Sequence, residues 1–463
     1  MTTKNPIKKI IYYFPIKLLP AFSTLFFITY LYKNLPSGDY SKYSISISLA
    51  IVLTQVLGGW VNNSYIYFHK TVLNEGDIAT IFLKLKNYSS LVGFFSAFFL
   101  SKLFISDKLT SLLISFLVAS QINFYFFSSY FQNTYQIRPQ LYSTFFQSFS
   151  QILILLFLFN IYNPSFSLGI TSTLIGILIA TTFLTYKART TYKNLNIVYI
   201  PVINIIKYGL PLSLWTLSIL LINFGDRFII DALSIGTSDQ YLSVRDLLIG
   251  ASGLLSMPIL MVLHPFILEK SKNHDFPYKL LLKTIILLSI LFLILFSFWT
   301  TVGSYFYFSF TQKENNIDRL FSFILISGIF VNCANIYAQK KLEADAATLK
   351  LTGISLTALL LFIILALLLG KFFGLIGIAT SNLIANLFYF SVTIPKKIKT
   401  YFPIKNLKIL SVSIIHTFAA IWSWTHVINN DSILISTIWT VIYAFSSAFL
   451  IFIAIKDIQK ELM

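Results

Sequence analysis

The sequence predicts an all-α polytopic membrane protein with about 14 transmembrane helices. Three observations carry that expectation. Only 11% of the 463 residues are charged, against roughly 25% in a soluble globular protein. Mean hydropathy is +0.76, and apolar stretches of about 20 residues, each long enough to cross a hydrocarbon core of about 30 Å, recur from one end to the other. The basic residues, finally, fall on alternate connections between those stretches. A β-barrel would instead show alternating segments of about ten residues, and none is present.

Taken in order, the expected spans are 10–31, 43–66, 88–105, 110–134, 140–161, 165–186, 208–230, 239–267, 284–306, 320–338, 352–370, 373–395, 409–427 and 432–455. The first follows Lys4, Lys8 and Lys9. It is too long for a signal-peptide core, and "NLPSGDYSKY" behind it has no small-residue cleavage pattern, so it reads as an uncleaved helix. With the N-terminus in the cytoplasm, 25 Lys and Arg fall on cytoplasmic segments and 7 on outer ones. Lys17, Arg227 and Arg245 remain inside spans. That bias survives thirteen alternations and implies cytoplasmic termini at both ends. It also explains the net charge of +18 without nucleic acid.

No connection is long enough to fold as a soluble domain. No GxxxxGK[ST] phosphate loop is present. Energy input must come from ion gradients or from the substrate's own gradient. The single cysteine, Cys333, excludes an internal disulfide and a cysteine-based metal cluster; it reads as packing. No His/Cys/Asp metal site, nucleophile triad or cofactor motif appears.

The chain looks duplicated at a spacing of about 200 residues. "KLLPAFSTLFFITYLYKNLPSGDYSKYSISISLA" opens the first six spans, and "YGLPLSLWTLSILLINFGDRFIIDALSIGTSDQYLSVRDLL" opens the next six. Each has a proline early in its first helix, a Gly/Ser/Asp turn and a long second helix. The expected organisation is two six-helix bundles, residues 1–200 and 201–400, related by a pseudo-twofold axis along the membrane normal around a central cavity. Residues 401–463 add two further helices.

Charges inside spans mark the candidate site. In a hairpin turning near residue 235 or 236, Asp226 falls level with Arg245, and Arg227 level with Asp246. Both pairs lie roughly 8 Å in from the outer interface at 1.5 Å per residue. One reading is an ion-pair clasp that fixes the hairpin. The other is a hydrated lining that meets a charged substrate, because unpaired intramembrane charge costs several kcal/mol. Arginine suits phosphate through its bidentate fork. Lys17 lies roughly 10 Å inside the first helix; it either snorkels to the cytoplasmic interface or lines an inward-facing cavity. His264, between Pro258 and Pro265, is either packing or a proton relay. Substrate binding is therefore assigned to Lys17, Arg227 and Arg245, and gating or ion coupling to Asp226, Asp246 and His264. Gln121, Asn123, Gln132, Asn133, Gln147, Gln151, Asn332, Asn335, Asn382 and Asn386 read as helix–helix glue or as a polar cavity for sugar hydroxyls. Tyr65, Tyr67 and Trp299 read as interfacial belt residues.

Several stretches resemble the polysaccharide transporter family of the multidrug/oligosaccharidyl-lipid/polysaccharide exporter superfamily. "SGDYSKY" stands where that family has EYGxY, with Ser41 in place of glycine. "GGWVNNSYIYFHK" is similar to the end of its second helix. "DRFIIDALSIGTSDQY" is similar to DRxxIxxxLGxxxVGxY, with Gln240 replacing glycine; "VLHPFI" is similar to VLFPxL, with His264 in the aromatic slot; and "GLIGIATSNLIAN" is similar to a motif on the twelfth helix. The resemblance implies a bacterial inner-membrane flippase for O-antigen or capsule repeat units. It implies two bundles around a cavity that opens alternately inward and outward. Its cargo would be an oligosaccharide on undecaprenyl pyrophosphate, with H+ or Na+, a polysaccharide polymerase and a chain-length regulator as further partners. Two rivals remain. An ion-coupled drug exporter would favour acids in its cavity. A membrane-embedded polymerase would need a large outer loop, and the outer connection around "SFTQKENNID" is short.

Overall fold

A computed structural model describes residues 6–71, 78–105, 107–134, 136–191, 195–196, 201–236, 238–271, 276–313, 318–345, 347–401, 404–428 and 433–462. The side chains of Lys17 and His264 lie outside the described set, although their helices are placed.

Among those residues the chain is helical almost throughout. The first elements are α1 (Pro6–Asn34), α2 (Asp39–Thr71), α3 (Thr80–Phe104), α4 (Lys108–Asn133), α5 (Ile137–Ile161) and α6 (Phe166–Thr191). They are followed by α7 (Val202–Phe224), α8 (Asp226–Ala232) and α9 (Ser238–Ser271). Then come α10 (Tyr278–Phe298), which passes through a π-helical turn at Trp299–Gly303 into α11 (Ser304–Thr311), α12 (Arg319–Ala338), α13 (Lys340–Ala344), α14 (Thr348–Thr393), α15 (Ile404–Ile428) and α16 (Ile433–Leu462). Two-residue strands, β1 (Ile78–Ala79) and β2 (Leu195–Asn196), pair in parallel. All fourteen expected spans fall on these helices. Nine runs among the described residues are long and apolar enough to cross a membrane by length and composition alone. The chain is a multi-pass membrane protein.

Helix starts follow from capping chemistry. The first amides of a helix have no partner within it, and a side-chain oxygen supplies one. The Asp107 carboxylate accepts from the amides of Leu109 and Thr110 at the start of α4. The Thr110 hydroxyl and amide hold its carboxyl below the usual carboxylate range. Asp318 accepts from the Phe321 amide at 2.6 Å, opening α12.

The expected spans 352–370 and 373–395 form one helical run with a sharp break. Gly374 adopts φ +59° and ψ −135°, a region that residues with a Cβ rarely enter. A Cβ on Gly377 would overlap the carbonyl oxygen of Leu369. A straight helix would hold residues eight apart about 12 Å distant along its axis. The chain therefore folds back here, and only glycine fits at the point of return.

The described chain divides into two compact units. The first comprises Met1–Leu247 with Ser355–Leu359, and the second Leu248–Ile354 with Leu360–Met463. The first unit runs past residue 200 because α7 lies along α2. Gly209 packs against Trp60 and Ser64 so closely that a Cβ would meet the Ser64 hydroxyl at 2.7 Å. The Ser213 hydroxyl donates to the Val56 carbonyl at 2.6 Å. In the second unit, α10 is the hub and packs on α12, α15 and α16. Leu281, Leu288 and Ile290 are fully buried there.

The span amides act as glue. Thr54 donates to Gln121 at 2.9 Å between α2 and α4, and Gln151 donates to Thr173 at 3.2 Å between α5 and α6. Asn335 donates to Asn386 at 3.1 Å between α12 and α14. Cys333 is buried beside Ser256, as packing requires. The interfacial reading of Tyr65 and Trp299 is overturned: both are buried. Tyr65 packs on Phe82 and Phe126, and Trp299 on Tyr307 and Phe308. Tyr67 alone of the three is exposed, stacked on Tyr208.

Gly377→Ala should lower the thermal unfolding midpoint in detergent sharply, by the 1–3 kcal/mol or more typical of overpacking. Gly353→Ala, where nothing lies within 4 Å of the new Cβ, is the matched control and should leave it unchanged. Equal melting of both variants would contradict the fold-back at Gly374.

Candidate functional site

The site is built by one helix interruption and one hairpin. α7 ends at Phe224, Gly225 intervenes, and α8 restarts on Asp226. α8 closes with Ser234 in the left-handed region at φ +50°, and α9 returns from Ser238. This brings Asp226, Arg227, Arg245 and Asp246 together, all on the first compact unit.

Arg245 pairs with Asp226, and Arg227 pairs with Asp246. These are the pairs that equal depth on an antiparallel hairpin requires. Asp226 is 0% exposed, Arg227 2% and Arg245 3%. Neither arginine faces lipid. Most of the remaining donors are occupied as well; the exception is the Arg227 Nε, which lies 4.0 Å from Asp226 Oδ1 without a hydrogen bond to it. Arg245 donates to the Asn223 carbonyl at 2.6 Å and toward the Tyr241 hydroxyl at 3.4 Å. Tyr241 in turn donates to Asp226 at 2.9 Å. Arg227 donates to the Ser48 hydroxyl and, at 3.3 Å, to the Ser44 carbonyl. It also lies over the Phe224 ring at 4.9 Å.

The pairs are tied to α2. Asp246 accepts from the Tyr40 hydroxyl at 3.0 Å and the Ser44 hydroxyl at 2.9 Å. A second acid does the same one level further out. Asp239 accepts from the amides of Gly38 at 2.5 Å and Ser41 at 2.8 Å. These are orphan donors at the start of α2, where an anion is favoured. Gly38, at φ +85°, makes the turn that presents them. The Asp239 side chain at the second turn thus caps the helix that follows the first, about 200 residues earlier.

Of the six residues singled out from sequence, four converge. Lys17 and His264 have no described side chain, so the geometry bears on neither. Sequence reasoning missed Tyr40, Ser44, Ser48, Tyr241 and Asp239. Tyr40, Ser44 and Ser48 recur every four residues, and that spacing marks one polar face on α2. It also missed Lys86, which the charge count placed in a cytoplasmic segment. Lys86 lies on α3 and is 7% exposed.

A polar hollow of about 150 Å³ lies beside Arg227, lined by Ser41, Asp231, Ser234 and Ser238 among others. Ordinary ligand pockets measure roughly 300–1,000 Å³, so this one admits water rather than a sugar headgroup. The arrangement is a closed clasp. To meet an anion, either guanidinium must first leave its carboxylate. Among the described residues, no group of His, Cys, Asp and Glu could hold a metal ion.

No family profile matches the chain, and no curated protein matches it by sequence. Solved structures do match in fold. One, described as the lipid II flippase MurJ in an inward closed conformation, superposes with a TM-score of 0.69 at 18% identity and covers 98% of both chains. A MATE multidrug transporter, DinF-BH, solved in complex with a ligand, gives 0.56 at 16% identity, covering 84% of this chain and 92% of its own. An inward-facing multidrug resistance MATE transporter of the MOP superfamily gives 0.58 at 14% identity, covering 82% and 95%. The chain has the fold these proteins share.

Arg245→Met alone should strand the buried Asp226 charge and cost about 3–5 kcal/mol, while Arg245→Met with Asp226→Asn should recover most of it. Thermal melts of the purified variants in detergent measure both. Additive losses in the double variant would show that the two residues are not a pair.

Proposed function

We propose that this chain is a flippase. It carries lipid-linked oligosaccharide repeat units, held on undecaprenyl pyrophosphate, from the cytoplasmic to the outer leaflet of a bacterial inner membrane. Both termini are cytoplasmic, no cofactor or nucleic acid is involved, and the chain is a transporter rather than an enzyme. The full-length match carries this reading. The lipid flippase aligns over 98% of both chains, including the last two helices, whereas the two multidrug transporters leave 16% and 18% of this chain unmatched.

Charge supports the same reading. The sequence places three bases inside spans, Lys17, Arg227 and Arg245. A pyrophosphate headgroup is an anion that planar guanidinium recognises bidentately. In the proposed cycle the clasp opens, the contacts of Asp239 and Asp246 with α2 part, and Arg227 or Arg245 passes from carboxylate to pyrophosphate. Asp226 and Asp246 hold the arginines when no substrate is present, which gives them a gating role. Lys17 and His264 stand as candidates for cargo binding and ion coupling.

The second reading is an ion-coupled multidrug exporter. The match to a MATE multidrug transporter solved in complex with a ligand favours it. Disruption of the gene in its host separates the two. The flippase reading expects loss of surface polysaccharide, accumulation of lipid-linked oligosaccharide inside, and unchanged resistance to cationic dyes. Intact surface polysaccharide with increased dye sensitivity would establish the exporter instead. In the same strain, complementation with Lys17→Ala should restore less polysaccharide than the unaltered gene. Full restoration removes Lys17 from the cargo site.

A further inference from the structure

Four Lys or Arg side chains are buried among the described residues: Lys86, Arg227, Arg245 and Lys340. Three of them are matched with an acid. Arg227 has Asp246, Arg245 has Asp226, and Lys340 has Glu343 at 2.6 Å. Among the described residues Lys86 is matched with none. Its amine donates to the Asn123 side-chain oxygen and lies over the Phe127 ring at 5.0 Å. Asn123 cannot turn to offer more. Its amide nitrogen is held by the Ala119 carbonyl at 2.7 Å and the Ser90 hydroxyl at 3.1 Å. Around this end of α3, α2 contributes the phenol of Tyr65, which packs on Phe82, and α4 the phenol of Tyr130. α6 contributes Arg189, a charge of the same sign that acts on Lys86. β1 brings only Ile78 and Ala79.

An ammonium needs three acceptors or a counter-charge. This site offers one amide oxygen and a ring. One acceptor leaves two N–H groups of an ammonium without a hydrogen bond, and the ring offsets its charge only in part. Lys86 also lies on the stripe of α3 formed by Phe82, Ser89, Gly93, Ala97 and Ser101, all buried. At the other end of the same helix, Phe104 packs against Phe228 of α8 with ring centroids 5.2 Å apart. α3 is thus a rigid connection from the Lys86 amine to the helix that carries Asp226 and Arg227.

We propose that Lys86 is the proton carrier that couples this protein to a proton gradient. In the clasped conformation the amine is uncharged. It takes one proton from water on the high-proton side and becomes ammonium. Its two unsatisfied N–H groups then draw water between α3 and α4, which displaces α3 and withdraws Phe104 from α8. Return to the clasped state releases the proton to the other side, so one proton crosses per cycle. The inference rests on the transporter reading above but not on the identity of the cargo.

The test needs no cargo. Leu109→Cys and Ala232→Cys, in a Cys333→Ala background, place two spin labels on exposed residues at the α4 start and the α8 end. Their separation is measured by double electron–electron resonance on the purified protein in lipid nanodiscs between pH 6 and pH 9. With Lys86 unchanged, the short, clasped distance should dominate at pH 9 and give way to a longer one toward pH 6. Lys86→Met, always neutral, should hold the short distance throughout. Lys86→Arg, always charged, should hold the long one. An unaltered pH response in Lys86→Met overturns the proposal, as does a clasped Lys86→Arg. Should Lys86→Arg fail to fold, Lys86→Gln replaces it as a second neutral variant and must abolish the pH response as Lys86→Met does. A Lys86-dependent pH response together with intact surface polysaccharide in the disrupted strain would leave the coupling standing and count against the cargo, so the two readings fail separately.

Discussion

A charge removed from water must find its opposite, and the first compact unit is arranged around that requirement. Burying an ion costs several kcal/mol even after relaxation, and only good geometry with further hydrogen bonds recovers it. Asp226 and Arg245 meet this condition through Tyr241 and the Asn223 carbonyl. Arg227 and Asp246 meet it through Tyr40, Ser44 and Ser48. The second set matters more for motion, because its hydrogen bonds come from another helix. A pair completed within its own hairpin holds the hairpin together. A pair completed by α2 holds the hairpin to α2 and becomes incomplete when α2 leaves. The two pairs are alike in sequence and unlike in consequence.

Much of this was legible in the residues, for identifiable reasons. Fourteen spans follow from hydropathy because lipid admits no unsatisfied backbone, so every crossing must be a long apolar helix. The two ion pairs follow from the hairpin turn near residue 235, since equal depth leaves each acid one level partner. What sequence could not supply is the partner from a distant helix. That Tyr40 and Ser44 face Asp246 depends on α7 lying along α2, which rests on the absent side chain of Gly209. A glycine announces that something approaches but not what. Gly374 and Gly377 raise the same difficulty: the fold-back is visible only once Leu369 is seen beside Gly377.

Lys86 shows where a charge count misleads. Counting Lys and Arg by connection predicts an orientation because most such residues stay in water. It assumes that a lysine two residues before an apolar span is one of them. α3 begins at Thr80, not at 88, so Lys86 rotates onto the packed stripe while Lys84 stays exposed. The i, i+3, i+7 spacing of Lys86 with Ser89 and Gly93 carried this information. Small residues on a membrane helix mark its packed face, and a lysine in register with them is buried with them.

The clasp and the lysine answer two different demands that the proposed transport cycle makes. A closed gate must be stable without cargo, and paired charges provide that. A gate that is only stable never opens, so some group must be content in one state and costly in the other. The paired cations cannot serve, because each carries its compensation with it. Among the described residues no acid compensates Lys86, and its preference between charged and neutral therefore depends on how much water the surrounding helices admit. Conformation and protonation are linked at such a group by necessity: whatever hydrates it favours its charge, and whatever charges it favours hydration. Asn123 and Phe127 satisfy the amine in the packed state without neutralising a charge, which is the environment such a switch requires.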